Sequence, residues 1–230
     1  MTRTKWLALS IDLPILQIAD ALYERQFLRG KIAGFELSDV NKSSVRGRFI
    51  EEVIANEVVI DPFGDEILNS VRRYSIFDFQ ITPLKKYNFL IRINNPPRSL
   101  KNFITTLSDV FGFGFSVEPL EIDILAMIKH LRDLSSVSSW SVKKVRMSHV
   151  RLSDSSFAKV EVVSDVDAYN DFRKHMSVKG AVLERATIAP KMSNLFGDIE
   201  FVSTGVVICD TNALEELSPI LQSYFQLAMI

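Results

Sequence analysis

The chain has 230 residues, of which 47% are hydrophobic and 24% charged, with 16 phenylalanines and a net charge of −1. These proportions are typical of a globular protein and exclude a low-complexity or disordered chain. The single cysteine, Cys209, excludes an internal disulfide and a thiolate zinc cluster, and it favours a cytoplasmic protein.

The first 70 residues predict a strand, a helix and a hairpin. Residues 5–13 predict a buried strand, and residues 15–29 place apolar side chains on one helical face. An aspartate and a proline interrupt this apolar region, which is too short and too polar to span a bilayer, so we expect no membrane contact. Residues 45–60 fit either a helix or a strand, and the turn-forming residues 61–65 favour the strand.

The rest of the chain alternates between strands and helices. The predicted strands cover residues 71–82, 87–93, 111–120, 142–152, 157–163, 180–189 and 198–208. The predicted helices cover residues 99–111, 121–134 and 166–177, and a closing helix starts near residues 210–212. Residues 135–139 are rich in serine and predict a linker. The closing helix has one broad apolar face, made of Leu214, Leu217, Leu221, Tyr224, Phe225 and Ala228.

Two stretches share one pattern, which predicts an internal duplication. Residues 71–82 and 142–153 each begin with valine and a basic pair, and each shifts its apolar alternation by one residue at the same place. Such a shift is typical of a β-bulge, here near residues 77–78 and residues 148–149. We therefore predict an α+β protein with two related lobes, whose mainly antiparallel sheets are each backed by one or two helices.

The predicted organisation has three segments. Residues 1–70 form an N-terminal strand–helix–hairpin segment, residues 71–141 the first lobe, and residues 142–230 the second lobe with the closing helix. Each lobe has the order strand–strand–helix–strand. The layout of residues 71–208 resembles that of duplicated ferredoxin-like folds, some of which bind RNA. Neither half has the aromatic RNP motif of such proteins, so no function follows from the resemblance.

Basic residues concentrate in the middle of the chain. Residues 71–141 carry a net charge of +3 and residues 142–191 a net charge of +4, whereas the two ends carry −3 and −5. A basic stripe on a hairpin suits a phosphate backbone, and its alternative is a solvated face whose charges pair with acidic residues of the same chain. The candidate nucleic-acid-binding residues are Arg72, Arg73, Lys85, Lys86, Lys143, Lys144, Arg146, Arg151 and Lys159.

The sequence contains no recognisable catalytic constellation. The three histidines, at positions 130, 149 and 175, lack metal-ligand spacing, and no phosphate-loop or nucleophile motif occurs. The carboxylates of two short clusters suit a polar turn and the first turn of a helix. These clusters are Asp61, Asp65 and Glu66, and Glu121 and Asp123. We therefore predict no catalytic residue, no metal and no cofactor.

Three functions are compatible with this sequence. The first is a non-catalytic protein that binds DNA or RNA through its basic hairpins. The second is a protein–protein adaptor or assembly subunit of a larger cytoplasmic complex, which contacts a partner or a second copy through the C-terminal helix. The third is an enzyme whose site is scattered beyond recognition, which the scarcity of histidine and the absence of motifs disfavour.

Overall fold

The structure, a computed structural model, describes residues 1–133, 139–191 and 197–228. The chain forms two compact units: the N-terminal unit is Ala8–Val117, and the C-terminal unit is Met1–Leu7 with Glu118–Ile230. These bounds differ from those of the three sequence segments, which divide the chain by charge and repeat pattern rather than by packing. The described residues form eleven strands and five helices, and the predicted α+β class with antiparallel pairing is confirmed.

The N-terminal unit is an antiparallel sheet with two helices. Its strand order is β2-β3-β4-β5, followed by residues 8–11 of β1, and β2–β3, β3–β4 and β4–β5 pair antiparallel. The ambiguous residues 45–60 are a strand, as expected. The elements of this unit, including the shared strands β1 and β6, are β1 (Thr2–Ile11), α1 (Ile15–Glu24), β2 (Ala33–Val40), β3 (Val45–Ile60), β4 (Glu66–Lys85), β5 (Asn88–Asn94), α2 (Lys101–Phe111) and β6 (Phe115–Pro119).

A cluster of phenylalanines fills the core of the N-terminal unit. Phe103 of α2 lies over the sheet, and its ring centroid is 5.3 to 6.1 Å from those of four strand phenylalanines. These four are Phe35, Phe49, Phe77 and Phe79, and all are buried. Offset and edge-to-face ring contacts at such distances stabilise a core beyond the area that they bury. The cluster accounts for part of the high phenylalanine content of the chain.

The C-terminal unit is a second antiparallel sheet with three helices. Its strand order is β8-β7-β9-β10-β11, followed by residues 1–7 of β1. Residues 135–138 of the predicted linker lie outside the described residues. The elements of this unit are α3 (Ile124–Asp133), β7 (Ser139–Arg151), β8 (Phe157–Val163), α4 (Ala168–His175), β9 (Val182–Lys191), β10 (Ile199–Val202), β11 (Val206–Cys209) and α5 (Thr211–Ala228).

The single strand predicted over residues 198–208 is wrong. The segment forms the hairpin β10–β11, in which Phe201 pairs with Val207 and Val202 with Val206. Gly205 makes this turn with a φ of 76°, and a Cβ atom at this position would stand 2.0 Å from the carbonyl oxygen of Leu120. Only glycine therefore fits at this turn.

The closing helix α5 packs its apolar face onto its own unit. Leu214, Leu217, Leu221, Tyr224 and Phe225 are buried, whereas Ala228 is exposed. The ring of Phe225 lies 5.9 Å from that of Trp6 on β1. The Tyr224 hydroxyl accepts a hydrogen bond from the Asp123 N–H at 3.1 Å at the start of α3, and burial raises the pKa of Tyr224. The predicted burial of this helix face is confirmed for these five residues.

The predicted duplication is not confirmed. The second stretch has its bulge, since the β7–β8 register shifts between Met147 and Val150 and His149 has a φ of 54°. The bulge predicted in the first stretch is wrong, because the β3–β4 register runs unbroken through residues 77–78. The apolar shift there arises because Ile76 is exposed while Phe77 is buried. The strand orders also differ: β9 pairs with β7, whereas β6 pairs with β1 and not with β4.

Candidate interaction surfaces

The hairpin β3–β4 continues well beyond the packed core of the N-terminal unit. We call residues 52–75 the arm; they comprise the outer parts of both strands and the turn between them. Every residue of the arm is exposed or half-buried. Nine large apolar side chains of the arm are exposed: Val53, Ile54, Val58, Val59, Ile60, Phe63, Ile67, Leu68 and Tyr74.

The apolar side chains lie on both faces of the arm. Val59 is opposite Ile67 in the ladder, and the adjacent pair Val58 and Leu68 points to the other face. Scattered single hydrophobic residues on a surface are ordinary, but a contiguous apolar patch marks an interaction site. The tip of the arm is therefore a candidate contact surface on either face.

Both edges of the arm lack a neighbouring strand. β2 pairs with β3 from Val45 to Glu51, and β5 pairs with β4 from Asp78 onward. Within the described ranges, β3 beyond Glu52 and β4 before Asp78 pair only with each other. A long unpaired edge presents backbone donors and acceptors to any chain that can add a strand.

Backbone N–H groups of the turn at the end of the arm have hydrogen-bond partners within the turn. The Asp61 carboxylate accepts hydrogen bonds from the N–H groups of Phe63 at 2.8 Å and Asp65 at 2.9 Å. Gly64 has a φ of 92°, a conformation that favours glycine. The polar turn predicted for these carboxylates matches this geometry, and the arm is a formed hairpin rather than an irregular loop.

The candidate basic residues of the N-terminal unit do not form one site. Arg72 lies 3.6 Å from a carboxylate oxygen of Glu52, and Arg73 lies 2.5 Å from one of Glu57, so both pair within the arm. Consecutive residues of a strand point to opposite faces, so these two arginines do not share a face. The strand from residue 72 to Lys85 spans about 40 Å at the usual rise per residue.

The candidate basic residues of the C-terminal unit are mostly engaged by acidic residues. Six of the nine candidates in the whole chain form ion pairs at the surface, including the two arginines of the arm. In the C-terminal unit the pairs are Lys143–Asp198 at 2.7 Å, Lys144–Glu161 at 2.8 Å, Arg151–Asp154 at 2.7 Å and Lys159–Glu184 at 3.2 Å. This arrangement matches the alternative of a solvated face whose charges are internally paired.

Arg146 has a different environment from its neighbours. On the exposed side of the sheet it lies opposite Glu161 of β8 and opposite Arg185 of β9. Like charges directly opposite each other destabilise a sheet, and Glu200, 2.9 Å from Arg185, offsets part of this cost. Lys144 donates a hydrogen bond to the Glu161 carboxylate. This bond and the positive charge of Lys144 hold the pKa of Glu161 below its usual value. Sequence reasoning missed Arg185, because nothing in the pattern aligns it with Arg146.

The carboxylate and the histidine at α3 have local hydrogen-bond partners. No group of three or more His, Cys, Asp or Glu side chains in the described parts of the chain could hold a metal ion. Asp123 begins α3, where its carboxylate accepts from the N–H groups of Leu125 and Ala126 at 3.0 Å each. The ring of His130 is within hydrogen-bonding distance of the Ser223 hydroxyl, at 2.8 Å. These groups serve helix capping and packing.

Comparisons with known proteins do not assign a family. Neither the scan against protein-family models nor the search of curated proteins returned a match. Within the described residues, none of the helices combines the length and the hydropathy that crossing a membrane requires. The arm and the basic face around Arg146 are therefore the two candidate functional surfaces.

Proposed function

We propose that the protein is a non-catalytic assembly subunit that makes its contacts through the arm. The observation that carries this proposal is the combination of exposed apolar side chains on both faces with two unpaired strand edges. The C-terminal helix, the contact surface expected from the sequence, buries five of the six residues of its apolar face within its own unit. The arm therefore replaces the C-terminal helix as the proposed contact surface.

The apolar side chains that the free arm exposes to water destabilise it. A two-stranded hairpin alone is at best marginally stable, and additional strands or a packed helix are needed to hold it. Each Val, Leu or Ile side chain that a partner buries fully contributes about 1.5–3 kcal/mol. A partner that covers a few of the nine exposed side chains would thus stabilise both the arm and the complex.

The charge of the arm favours a protein partner. The arm has five acidic and two basic residues, a net charge of −3, and both arginines are paired with glutamates of the arm. Phosphate backbones and anionic membrane surfaces bind basic segments, so an acidic arm repels them. A protein surface that presents apolar side chains and a strand edge would complement the arm.

Shortening the arm tests the proposal. Residues 54–72 are replaced by Asn-Gly, a turn that joins Val53 to its ladder partner Arg73, a pair whose backbone groups face each other. The phenylalanine core is untouched, so we expect a cooperative thermal transition like that of the unaltered chain. In extracts of its native cells, the mass of the complex containing the protein, measured by sedimentation, should fall to that of the free chain.

The matched control changes an exposed apolar residue outside the arm. Phe113 is fully exposed, and Phe113→Ser should leave the mass of the complex unchanged. The proposal is wrong if the arm-shortened protein folds and still sediments in a complex of the original size.

Nucleic-acid binding remains a second candidate, and Arg146 is the residue that favours it. A phosphate bound between Arg146 and Arg185 would relieve their repulsion. This candidate leaves out Arg72 and Arg73, because glutamates of the acidic arm already neutralise them.

Charge reversal at both arginines tests this second candidate. Each phosphate contact contributes about −0.7 to −0.9 to the slope of log affinity against log salt, so Arg146→Glu with Arg185→Glu, which removes the one phosphate that they share, should flatten it by about 0.7–0.9. Binding to all sequences should weaken alike, because backbone contacts carry no base information. The measurement is fluorescence anisotropy with short single- and double-stranded DNA and RNA.

The double variant Arg72→Glu with Arg73→Glu is the control with the same change in charge, and it should bind like the unaltered chain. Absence of binding to any of these nucleic acids at low salt would eliminate the second candidate.

A further inference from the structure

We infer that the partner of the arm is the arm of a second copy of this chain, joined β3 edge to β3 edge about a twofold axis at Asn56. This inference rests on the proposed function, since it takes the arm as the contact surface. It adds the identity of the partner, the edge used and the register.

The backbone groups at this edge are oriented for pairing. The Glu52 N–H points toward β2 and donates to the Ile32 carbonyl oxygen at 2.7 Å. Backbone groups of alternate residues of a strand face the same edge, so those of Ile54, Asn56 and Val58 face it as well. In the described structure these groups meet no strand on that side, because β2 pairs only as far as Glu51.

The composition of the two edges favours β3 over β4. Six of the eight residues 53–60 are apolar, whereas only three of the eight residues 66–73 are. The β4 edge also has adjacent arginines, Arg72 and Arg73, and charged residues are a common device against edge-to-edge pairing. The β3 edge from residue 53 to residue 60 has a single charged residue, Glu57.

One antiparallel register makes the β3 edge self-complementary. With Asn56 opposite Asn56 of the second copy, Ile54 lies opposite Val58 and Val53 lies opposite Val59. The twofold axis produces each of these apolar pairs twice, and cross-strand apolar pairs stabilise a sheet. Because the outward backbone groups of Asn56 meet each other, the central pair is a hydrogen-bonded pair.

Neighbouring registers are less favourable. Moving the axis one residue toward the tip places Glu57 opposite Glu57, and directly opposed like charges are destabilising. Moving it one residue toward the base places Ala55 on the axis and Val53 opposite Glu57, which removes both apolar pairs. Asn56 is therefore the favoured centre.

Pairing of this kind removes the two weaknesses of the free arm. Two hairpins become one four-stranded sheet of order β4-β3-β3-β4, which exceeds the size at which a sheet is stable by itself. The β3 edges disappear into the new ladder. A twofold contact of one patch with itself closes at the dimer, so a discrete assembly is expected rather than a filament.

Cysteine cross-linking tests this register. Directly opposed residues of a hydrogen-bonded antiparallel pair have Cα atoms about 5.5 Å apart, a separation that a short bifunctional thiol reagent spans. Asn56 is exposed and the native Cys209 is buried, so Asn56→Cys supplies one reactive thiol per chain. Treating the purified full chain with this reagent should convert the variant to a covalent dimer on a denaturing gel.

Ser70→Cys is the matched control. The Ser70 hydroxyl donates to the Asn56 side chain at 2.8 Å across the hairpin, so both variants lose the same hydrogen bond. A thiol at residue 70 is on β4, away from the new ladder, and should give no cross-linked dimer. Equal trapping of the two variants, or a sedimentation mass of one chain for the unaltered protein at every concentration, overturns the inference. If the arm-shortened protein nevertheless loses its native complex, the proposed function stands and the partner is a different protein.

Discussion

Replacing Phe103 with alanine should lower the free energy of unfolding by about 3–5 kcal/mol, the usual cost of deleting a buried phenylalanine. Phe103 is 1% exposed, and its ring contacts four other phenylalanine rings that come from β2, β3 and β4. The cavity left by alanine would be lined by rigid aromatic rings, which relax little. Urea denaturation followed by circular dichroism measures the change.

Phe113→Ala is the control for this substitution. Phe113 is fully exposed in the turn after α2, so its removal deletes the same atoms without opening a cavity. We expect a change within about 0.5 kcal/mol, as for other surface substitutions. Similar losses for the two variants would contradict the phenylalanine cluster as the core of the N-terminal unit.

Deleting residues 211–230 should leave an insoluble protein. The deletion removes five large buried side chains of α5, and burial of each contributes about 1.5–3 kcal/mol, roughly 8–15 kcal/mol in all. That sum is comparable with the entire stability of an ordinary domain. It would also expose Trp6, whose indole packs against Phe225. Solubility after expression and the cooperativity of thermal melting are the measurements.

Two point variants measure how much single side chains of α5 contribute to stability. Leu221 is fully buried, so Leu221→Ala should cost about 2–5 kcal/mol, whereas Leu227 is 62% exposed and Leu227→Ala should cost little. A soluble truncation that melts cooperatively would show that α5 is dispensable for the fold.

The sequence predicts most elements of this fold because periodicity is a local property. The strand over residues 157–163 has the bounds of β8, and the turn over residues 61–65 joins β3 to β4 as expected. The strand β2 escaped prediction, since residues 33–40 alternate weakly. The hairpin β10–β11 was also missed, although Ser203, Thr204 and Gly205 form a short break between its two apolar strands.

The unconfirmed duplication shows that the alternation of apolar residues does not determine how strands pack. The same one-residue shift reflects a bulge in β7, where His149 adopts a positive φ. In β4 it arises because the apolar residues up to Ile76 lie on the exposed face and those from Phe77 onward lie on the buried face. Alternation reports which residues share a face, and it does not report whether a face is covered. Only the extent of the neighbouring strands decides that.

The sequence predicts the basic residues as a group, but it does not predict which acidic residues pair with them. Lys143 pairs with Asp198, 55 residues away, and Lys159 pairs with Glu184 on another strand. Such pairs depend on the order of strands in the sheet, which the sequence did not reveal. For the same reason the strands of the arm were predicted, but their exposure was not.

Amide hydrogen exchange along β3 tests the arm most directly as the contact surface. In a free arm the outward N–H groups of Ile54, Asn56 and Val58 face water, whereas those of Ala55 and Glu57 face β4 in either state. Pairing of two arms predicts that exchange at residues 54, 56 and 58 slows as the protein concentration rises, with little change at residues 55 and 57. Exchange at residues 54, 56 and 58 that stays fast at every concentration would contradict pairing through this edge.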